Sequence, residues 1–218
     1  MKILFYGDSN TYGYDPADFW EMRYPEKKRW TYLLQQMNPE KWEIIQEGMN
    51  GRQLPDLRHD APGIQRMLGM LPEGGLFAVM LGTNDILLTT DPDADAVTEK
   101  MRRFLEYLTA RKEAAGILVI APPHIGGKNI RDPLYQLYYR ESKRMNAEFK
   151  ELADAFHVNF ADAGAWEVDM SADLVHLSEE GHRQFAVKMG EYLRQLLEKD
   201  GRGPAADADQ GKMMDADA

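Results

Sequence analysis

The stretch at residues 2–10 constrains the fold more than any other part of the sequence. An apolar run of strand length, Lys2–Tyr6, ends abruptly in Gly7-Asp8-Ser9. Glycine can adopt backbone angles that are closed to other residues, so the chain can turn sharply there. Open α/β folds bind ligands at the carboxyl ends of their strands, which makes the Ser9 hydroxyl a candidate nucleophile. On its own, this common tripeptide favours a plain strand-to-loop turn.

Apolar runs and helical periodicities alternate along the rest of the chain. Further strands are predicted at residues 42–46, 76–81, 117–120 and 158–160, and helices at residues 29–37, 61–71, 98–112, 135–156 and from Ser178 onward. This alternation predicts an α/β fold, a single three-layer α/β/α domain with a parallel five-stranded sheet. We assign the domain to residues 1–199. Residues 200–218 lack periodicity and bulk, which predicts a disordered tail.

Composition and charge exclude several classes of function. The 218 residues include no cysteine and carry a formal net charge of −10. A disulfide framework and a thiolate zinc site are therefore excluded, and an acidic chain is poorly suited to binding nucleic acid or anionic membranes. The basic run Lys27-Lys28-Arg29 fits a solvated helix start. The first apolar run is too short to span a bilayer, so we expect a cytoplasmic protein that acts on small molecules without a metal or a cofactor.

Polar residues follow three of the predicted strands, at Ser9, at Asn50-Gly51 and at Asn84. Because the carboxyl ends of parallel strands lie along one edge of the sheet, these residues can converge. The last loop offers a base, since Asp173 precedes His176 there by three residues. The imidazole can accept the serine proton, and Asp173 can orient the imidazole. The backbone N–H groups of Ser9 and Gly51, with the Asn84 amide, can stabilise an oxyanion, so every part needed for acyl transfer has a candidate.

These motifs resemble the blocks of the SGNH (GDSL) hydrolases. Gly7-Asp8-Ser9, Gly51, Gly82–Asp85 and Asp173-x-x-His176 match those blocks in order and span nearly the whole chain. Other stretches are similar to the arylesterase/acyltransferase branch: Arg29-Trp30-Thr31, residues 47–52, residues 80–85 and Pro122-Pro123. The resemblance implies the flavodoxin-like SGNH hydrolase fold and a triad of Ser9, His176 and Asp173. It also implies an oxyanion hole formed by Ser9, Gly51 and Asn84.

Two positions near these motifs depart from the family's pattern. Position 10 is asparagine where the family commonly has leucine or isoleucine, and position 174 is leucine where glycine is frequent in the branch. Both changes are expected to alter the pocket and its substrate. The predicted substrate-binding residues are Asn10, Tyr12, Trp20 and Arg52, with Asp56 a further candidate and Asp85 expected to stabilise its turn.

The other histidines are weaker candidates for the base. His182 is the closest alternative to His176, but no acid lies at a similar offset on its loop side. We interpret His59, His124 and His157 as surface or structural residues.

The sequence therefore predicts a serine esterase or acyltransferase that hydrolyses small, short-chain carboxylic esters through an acyl-enzyme. Within the same family, a carbohydrate O-deacetylase or an acyl thioesterase remains an alternative. An alternative of another class is a flavodoxin-like module that binds a phosphate or nucleotide at the turn after the first strand. The apolar segments Tyr12–Tyr24 and Pro133–Tyr139 either contact other subunits of a homo-oligomer or pack over their own sheet edge.

Overall fold

Five parallel strands form the centre of the computed structural model, which describes residues 1–18, 20, 22–38, 40–111, 116–127 and 130–199. The strands are β1 (Lys2–Gly7), β2 (Glu43–Gly48), β3 (Leu76–Met80), β4 (Gly116–Ala121) and β5 (Asn159–Asp162). They lie in the order β2-β1-β3-β4-β5. The carboxyl end of β1 is therefore inside the sheet, with Gly7 paired to Gly48 on one side and to Met80 on the other. The predicted parallel five-stranded sheet is confirmed.

Helices cover both faces of this sheet. They are α1 (Ser9–Tyr12), α2 (Trp30–Met37), α3 (Leu57–Leu68), α4 (Thr83–Leu87), α5 (Ala94–Thr109), α6 (Pro133–Ala155) and α7 (Glu179–Lys199). Alternate side chains of β1 point to opposite faces, as the period of a strand requires. Leu4 and Tyr6 join the core under α3, α5 and α6, whereas Ile3 and Phe5 join the core under α2 and α7. These two cores give the three-layer arrangement that the sequence predicts.

Several predicted boundaries differ from the observed ones. Helix α3 begins at Leu57 rather than 61, because the Asp56 side chain accepts a hydrogen bond from the Arg58 N–H and caps the helix. Helix α5 begins at Ala94 rather than 98 for the same reason, with Asp93 as its cap. The predicted loop after Ser9 contains the four-residue helix α1, and the polar turn at residues 82–85 leads directly into α4.

The last helix begins where the sequence predicts. The Ser178 hydroxyl accepts a hydrogen bond from the Gly181 N–H at 3.0 Å, which is the interaction of a helix N-cap. The predicted tail at residues 200–218 lies outside the described residues. In the part of the chain that the structure describes, none of the helices has both the length and the apolar character needed to cross a membrane.

Candidate active site

Ser9 is the first residue of a short helix that starts directly at the end of β1. Asp8 caps this helix, since its Oδ1 accepts a hydrogen bond from the Asn10 N–H at 2.9 Å. The helix passes so close to β2 that a Cβ on Gly48 would lie 2.2 Å from the backbone nitrogen of Tyr12. Only glycine fits at that position. The local sequence therefore holds Ser9 at the carboxyl edge of the sheet, where it is only 6% exposed.

Ser9, His176 and Asp173 lie in a continuous line of hydrogen bonds. The Oγ atom of Ser9 is 2.9 Å from Nε2 of His176, and Nδ1 of His176 is 2.6 Å from Oδ2 of Asp173. A carboxylate accepts a hydrogen bond but cannot donate one, so the ring proton belongs on Nδ1. Nε2 is then free to accept a proton from the serine hydroxyl. The structure thus brings together the three residues that the sequence predicts as a triad.

The Asp173 carboxylate is fixed by several donors. Its Oδ1 accepts hydrogen bonds from the backbone N–H groups of Val175 and His176, both at 3.0 Å. Burial on its own raises the pKa of Asp173, but the hydrogen bonds from the His176 ring and from these two backbone groups outweigh it. The pKa is therefore below its ordinary value, and the group remains an anion facing the imidazole.

The loop that carries His176 is anchored on the helix that carries Ser9. Nδ2 of Asn10 donates to the Val175 carbonyl at 3.1 Å, and Oδ1 of Asn10 accepts from the Leu177 N–H at 2.8 Å. One side chain therefore holds the backbone on both sides of His176. Leu174, in the same loop, has a φ of 60°, which is the left-handed region that favours glycine. The departure of this chain from the family at position 174 thus falls at a strained position.

The two residues predicted to complete an oxyanion hole lie in neighbouring segments. Gly51 has a φ of 72° and is exposed, and a Cβ placed on it would have no neighbour within 4 Å. Asn84 lies in α4, is 8% exposed, and donates from Nδ2 to the Arg52 carbonyl at 3.1 Å. Asp85 holds the same loop, because its Oδ2 accepts from the Leu54 N–H at 2.9 Å. These bonds tie the Gly51 segment to the start of α4.

Two of the four predicted substrate-binding residues, Asn10 and Arg52, hold backbone groups of other segments. Both ends of the Asn10 amide are used by the backbone of the His176 loop. Arg52 donates from Nη1 to the carbonyls of Gly7 and Glu47, and its guanidinium lies over the Tyr6 ring at 4.3 Å.

The two aromatic candidates differ in their surroundings. The Tyr12 ring packs under the guanidinium of Arg23 at 3.8 Å, and Trp20 is 94% exposed. Asn10 and Arg52 therefore hold backbone segments in place in this structure, and the Tyr12 ring packs against Arg23. The weaker candidate Asp56 is used as the cap of α3.

Tyr14 is the aromatic residue beside the site, and the sequence did not single it out. Its ring centre is 4.6 Å from that of His176, at an angle of 50°. The residue is two positions beyond Tyr12, after the left-handed turn at Gly13 that ends α1. No periodicity signals which of the two tyrosines faces His176, because the turn between them decides it.

His182, the alternative base, is fully buried beneath the α2–α7 interface. Its Nδ1 accepts from the Trp30 N–H at 3.4 Å, and the Tyr24 ring stands edge-on to it at 5.1 Å. Burial is the main cause that lowers the pKa of His182 to about 3, and electrostatic interactions with Arg29 and His176 add to it. His182 therefore belongs to the neutral core rather than to the reactive site.

Comparison with known proteins places the chain in a family. The sequence profile of the GDSL-like lipase/acylhydrolase family matches residues 5–184, so the chain belongs to this family of ester hydrolases. An aryl esterase from M. smegmatis is 26% identical with a TM-score of 0.74, over 90% of this chain and 99% of that one. A carbohydrate acetylesterase from Sinorhizobium meliloti is 25% identical with a TM-score of 0.73, over 89% of this chain and 99% of that one. A comparison with curated proteins gives no significant match.

A solved structure with lower sequence identity has the same fold. A variant of an acetyl-xylooligosaccharide esterase from Geobacillus is 20% identical with a TM-score of 0.65, over 86% of this chain and 91% of that one. The predicted resemblance to the SGNH hydrolases is thus confirmed, and so is the predicted class, a serine hydrolase that acts on ester bonds.

Proposed function

We propose that this protein is a serine esterase that cleaves short-chain carboxylic esters through an acyl-enzyme intermediate. Ser9 is the nucleophile, His176 the general base and acid, and Asp173 the residue that orients the imidazole. The observation that carries this proposal is the unbroken line from Ser9 Oγ to His176 Nε2, at 2.9 Å, and from His176 Nδ1 to Asp173 Oδ2, at 2.6 Å. A nucleophile, a base and an orienting acid in this geometry are the parts of a serine-hydrolase triad.

The first half of the reaction acylates the serine. Ser9 Oγ attacks the ester carbonyl carbon while its proton passes to Nε2 of His176. The carbonyl oxygen becomes an oxyanion, which the N–H groups of Ser9 and Gly51 and the Asn84 amide stabilise. The tetrahedral intermediate then collapses, the alcohol oxygen takes the proton from Nε2 and leaves, and the acyl group stays on Ser9.

The second half of the reaction releases the acyl group. A water molecule gives its proton to Nε2 and attacks the acyl carbon, which yields the carboxylic acid and restores the Ser9 hydroxyl. An alcohol that takes the place of water yields a new ester instead. The same residues thus serve hydrolysis and acyl transfer, and the balance depends on which acceptor reaches the acyl-enzyme.

The names of two similar structures support a small ester as the substrate. One is an aryl esterase and the other a carbohydrate acetylesterase. An O-acetylated carbohydrate is therefore the second candidate substrate, and an acyl thioester the third. We assign this activity to a catalytic domain at residues 1–199 and to the cytoplasm.

Replacement of the nucleophile tests the proposal. The Ser9→Ala variant should fold normally and retain less than about a hundredth of the wild-type kcat on p-nitrophenyl acetate, because loss of a triad member usually costs far more than that. A fluorophosphonate probe should label the wild type and a Ser178→Ala control, but not Ser9→Ala. Labelling that persists in Ser9→Ala would refute the assignment, and an unlabelled, inactive wild type would favour the phosphate-binding alternative.

A substrate panel identifies the class of ester. The panel contains p-nitrophenyl esters of increasing acyl length, an acetylated xylo-oligosaccharide and an acyl-CoA. We expect the highest kcat/KM on the shortest acyl groups. A higher value on the acetylated sugar than on p-nitrophenyl acetate would select the second candidate.

A further inference from the structure

The turn that carries the base and the acid of the triad is held together by its own hydrogen bonds. Within this triad turn, residues 171–177, Oδ1 of Asp173 accepts from the Val175 and His176 N–H groups at 3.0 Å, and Oδ2 lies 2.6 Å from Nδ1 of His176. The Ser171 N–H donates to the His176 carbonyl at 2.7 Å, which closes the turn. The geometry between Asp173 and His176 is therefore set inside the turn.

The distance from His176 to Ser9 depends on contacts outside the turn, because the two residues are 167 positions apart in the chain. Apart from the Ser9–His176 bond itself, the hydrogen bonds that join the triad turn to α1 among the described residues both come from the Asn10 side chain. Its Nδ2 donates to the Val175 carbonyl at 3.1 Å, and its Oδ1 accepts from the Leu177 N–H at 2.8 Å. These main-chain groups lie immediately before and after His176, so the amide limits both translation and rotation of the base.

The start of the triad turn is attached to a different part of the molecule. The Gly126 N–H donates to the Leu174 carbonyl at 2.8 Å, and the Tyr135 hydroxyl donates to the Asp173 carbonyl at 3.3 Å. Gly126 follows β4 and Tyr135 lies in α6, so neither contact reaches α1. Without the Asn10 amide, the turn would keep these attachments but would be held less firmly against the helix that carries the nucleophile.

Asn10 is itself fixed by its surroundings. The residue is 3% exposed, its N–H donates to Oδ1 of Asp8 at 2.9 Å, and its carbonyl accepts from Nε1 of the buried Trp30 at 2.9 Å. Because Asn10 follows Ser9 directly in the chain, a residue held in this way keeps its amide at a constant offset from the Ser9 backbone.

We propose that Asn10 is a positioning residue that sets the distance between the Ser9 hydroxyl and the His176 imidazole. This inference rests on the proposed function, in which a proton passes from Ser9 Oγ to His176 Nε2 as the ester is attacked. Such a transfer requires a short, aligned pair of atoms, and a misplacement of about 1 Å can cost about a hundredfold in rate. Both ends of the Asn10 amide are bonded to main-chain groups, so the residue acts through His176 rather than on the ester.

This role predicts a specific kinetic pattern. Loss of the Asn10 amide should lower kcat and kcat/KM together, by about tenfold to a hundredfold, and leave KM near its wild-type value, because the lost interaction matters in the transition state. The hydrogen bond from His176 to Asp173 should survive, since it is formed inside the triad turn. The far-downfield proton NMR signal of that ring N–H should therefore persist.

Kinetics on p-nitrophenyl acetate test the inference, with each rate divided by the number of sites that a fluorophosphonate probe labels after prolonged incubation. Asn10→Leu keeps a similar size without polar atoms. Asn10→Ser leaves room for water to bond to the Val175 carbonyl and the Leu177 N–H, so it gives the result even where the unpaired N–H prevents Asn10→Leu from folding. Both variants should lose kcat and retain the NMR signal, whereas Asp173→Asn should lose the signal.

Asn146→Ser is the matched control. Asn146 is also 3% exposed, and its Nδ2 donates to a main-chain carbonyl outside the triad turn, that of Pro122, at 2.9 Å. Its kcat per labelled site should equal that of the wild type, because loss of a buried asparagine elsewhere affects stability without moving His176.

A wild-type kcat per labelled site in Asn10→Ser would overturn the inference, and so would an equal loss of kcat in Asn146→Ser. An increase in KM at unchanged kcat would make Asn10 a substrate-binding residue, and loss of the NMR signal in Asn10→Ser would place its effect on the Asp173–His176 pair. Either result would also overturn the assigned role. Activity retained in Ser9→Ala would refute the proposed function, whereas an inactive Ser9→Ala with a fully active Asn10→Ser would refute only the role of Asn10.

Discussion

At the scale of single residues, Asp8 carries a charge that the fold does not stabilise well. Its Oδ1 caps α1, but Oδ2 has no hydrogen-bond partner among the described residues, and the side chain is buried. Burial raises the pKa of Asp8 from 3.8 to about 6, and the hydrogen bond from the Asn10 N–H opposes this only in part. Ionisation of the carboxyl group next to Ser9 is thus unfavourable in the folded state.

Stability should therefore depend on pH through Asp8. The folded state holds this proton up to about pH 6 while the unfolded chain releases it near 3.8, so stability falls as pH rises between these values. The shift corresponds to about 3 kcal/mol. Asp8→Asn cannot ionise, and its advantage over the wild type in urea unfolding should grow by roughly that amount between pH 4 and pH 7. A difference that stays constant across this range would contradict the prediction.

Leu174 offers a second prediction at this scale. A left-handed backbone costs a residue with a side chain roughly 1–2 kcal/mol. The greater freedom of glycine in the unfolded chain costs roughly 0.5–1 kcal/mol. Leu174→Gly should therefore leave the free energy of unfolding unchanged or raise it by up to about 1.5 kcal/mol. Ala172→Gly, at an exposed position two residues away without a positive φ, should lower it, and equal losses in the two variants would refute the explanation.

At the scale of elements, a buried ion pair fastens the loop after β2 to helices α4 and α5. The Asp85 side chain has no exposed surface. It accepts hydrogen bonds from the Leu54 N–H and, at 2.8 Å, from Nζ of Lys100. Lys100 lies nearly two turns into α5 and is half-exposed. The pair therefore joins three segments of the chain, one of which carries Gly51.

Removal of one partner of this ion pair should lower the free energy of unfolding more than removal of both. Lys100→Met leaves the Asp85 charge buried and unpaired, and should lower the free energy of unfolding by about 2–3 kcal/mol, less than for a fully buried pair because the lysine is half-exposed. Lys100→Met with Asp85→Asn should recover most of that loss. Arg103→Met, whose exposed partner is Glu99, is the control and should change stability by under about 1 kcal/mol. Additive losses in the double variant would contradict this.

The order of the elements could be predicted from the sequence, but several boundaries and contacts could not. Apolar runs mark the strands because both faces of the sheet are covered. Periodicity finds the buried face of α3 and α5, yet their first turns are polar and are set by the caps Asp56 and Asp93. The meeting of Ser9 and His176 follows from the shared edge of a parallel sheet.

The roles of single side chains around the site were harder to predict. The turn at Gly13 brings Tyr14 rather than Tyr12 against His176, and Asn10 and Arg52 are used by backbone groups of other segments. The direction in which each of these side chains points depends on local turns, which leave no periodic pattern in the sequence. Contacts between distant segments are equally hidden from residue spacing.

At the scale of the whole molecule, the surface carries exposed apolar residues near the site loops. Trp20 is 94% exposed, Met22 47% and Leu134 49%. Water-exposed apolar groups of this size are typical of partner surfaces. We predict that these segments contact other copies of the chain, and that the resulting homo-oligomer narrows the entrance to short acyl chains.

Two measurements check the assembly. Light scattering should give a mass of more than one chain, and kcat/KM should be higher for acetyl than for octanoyl esters. Trp20→Asp should reduce both the mass and the preference for acetyl over octanoyl esters. Met70→Asp, at an exposed methionine away from these segments, should change neither quantity. A monomer that prefers the octanoyl ester would be inconsistent with the prediction on both counts.

The positions of Ser9 and His176 in the chain have a consequence for synthesis. Ser9 belongs to the first helix, whereas His176 lies just before the last one, 167 residues later. At roughly 5–20 residues per second, a ribosome needs about 10–30 s to pass from one to the other. For that time the nascent polypeptide displays a serine whose hydroxyl has no imidazole beside it. By the proposed mechanism, an unfinished or prematurely terminated chain lacks the base and is unable to attack the esters around it.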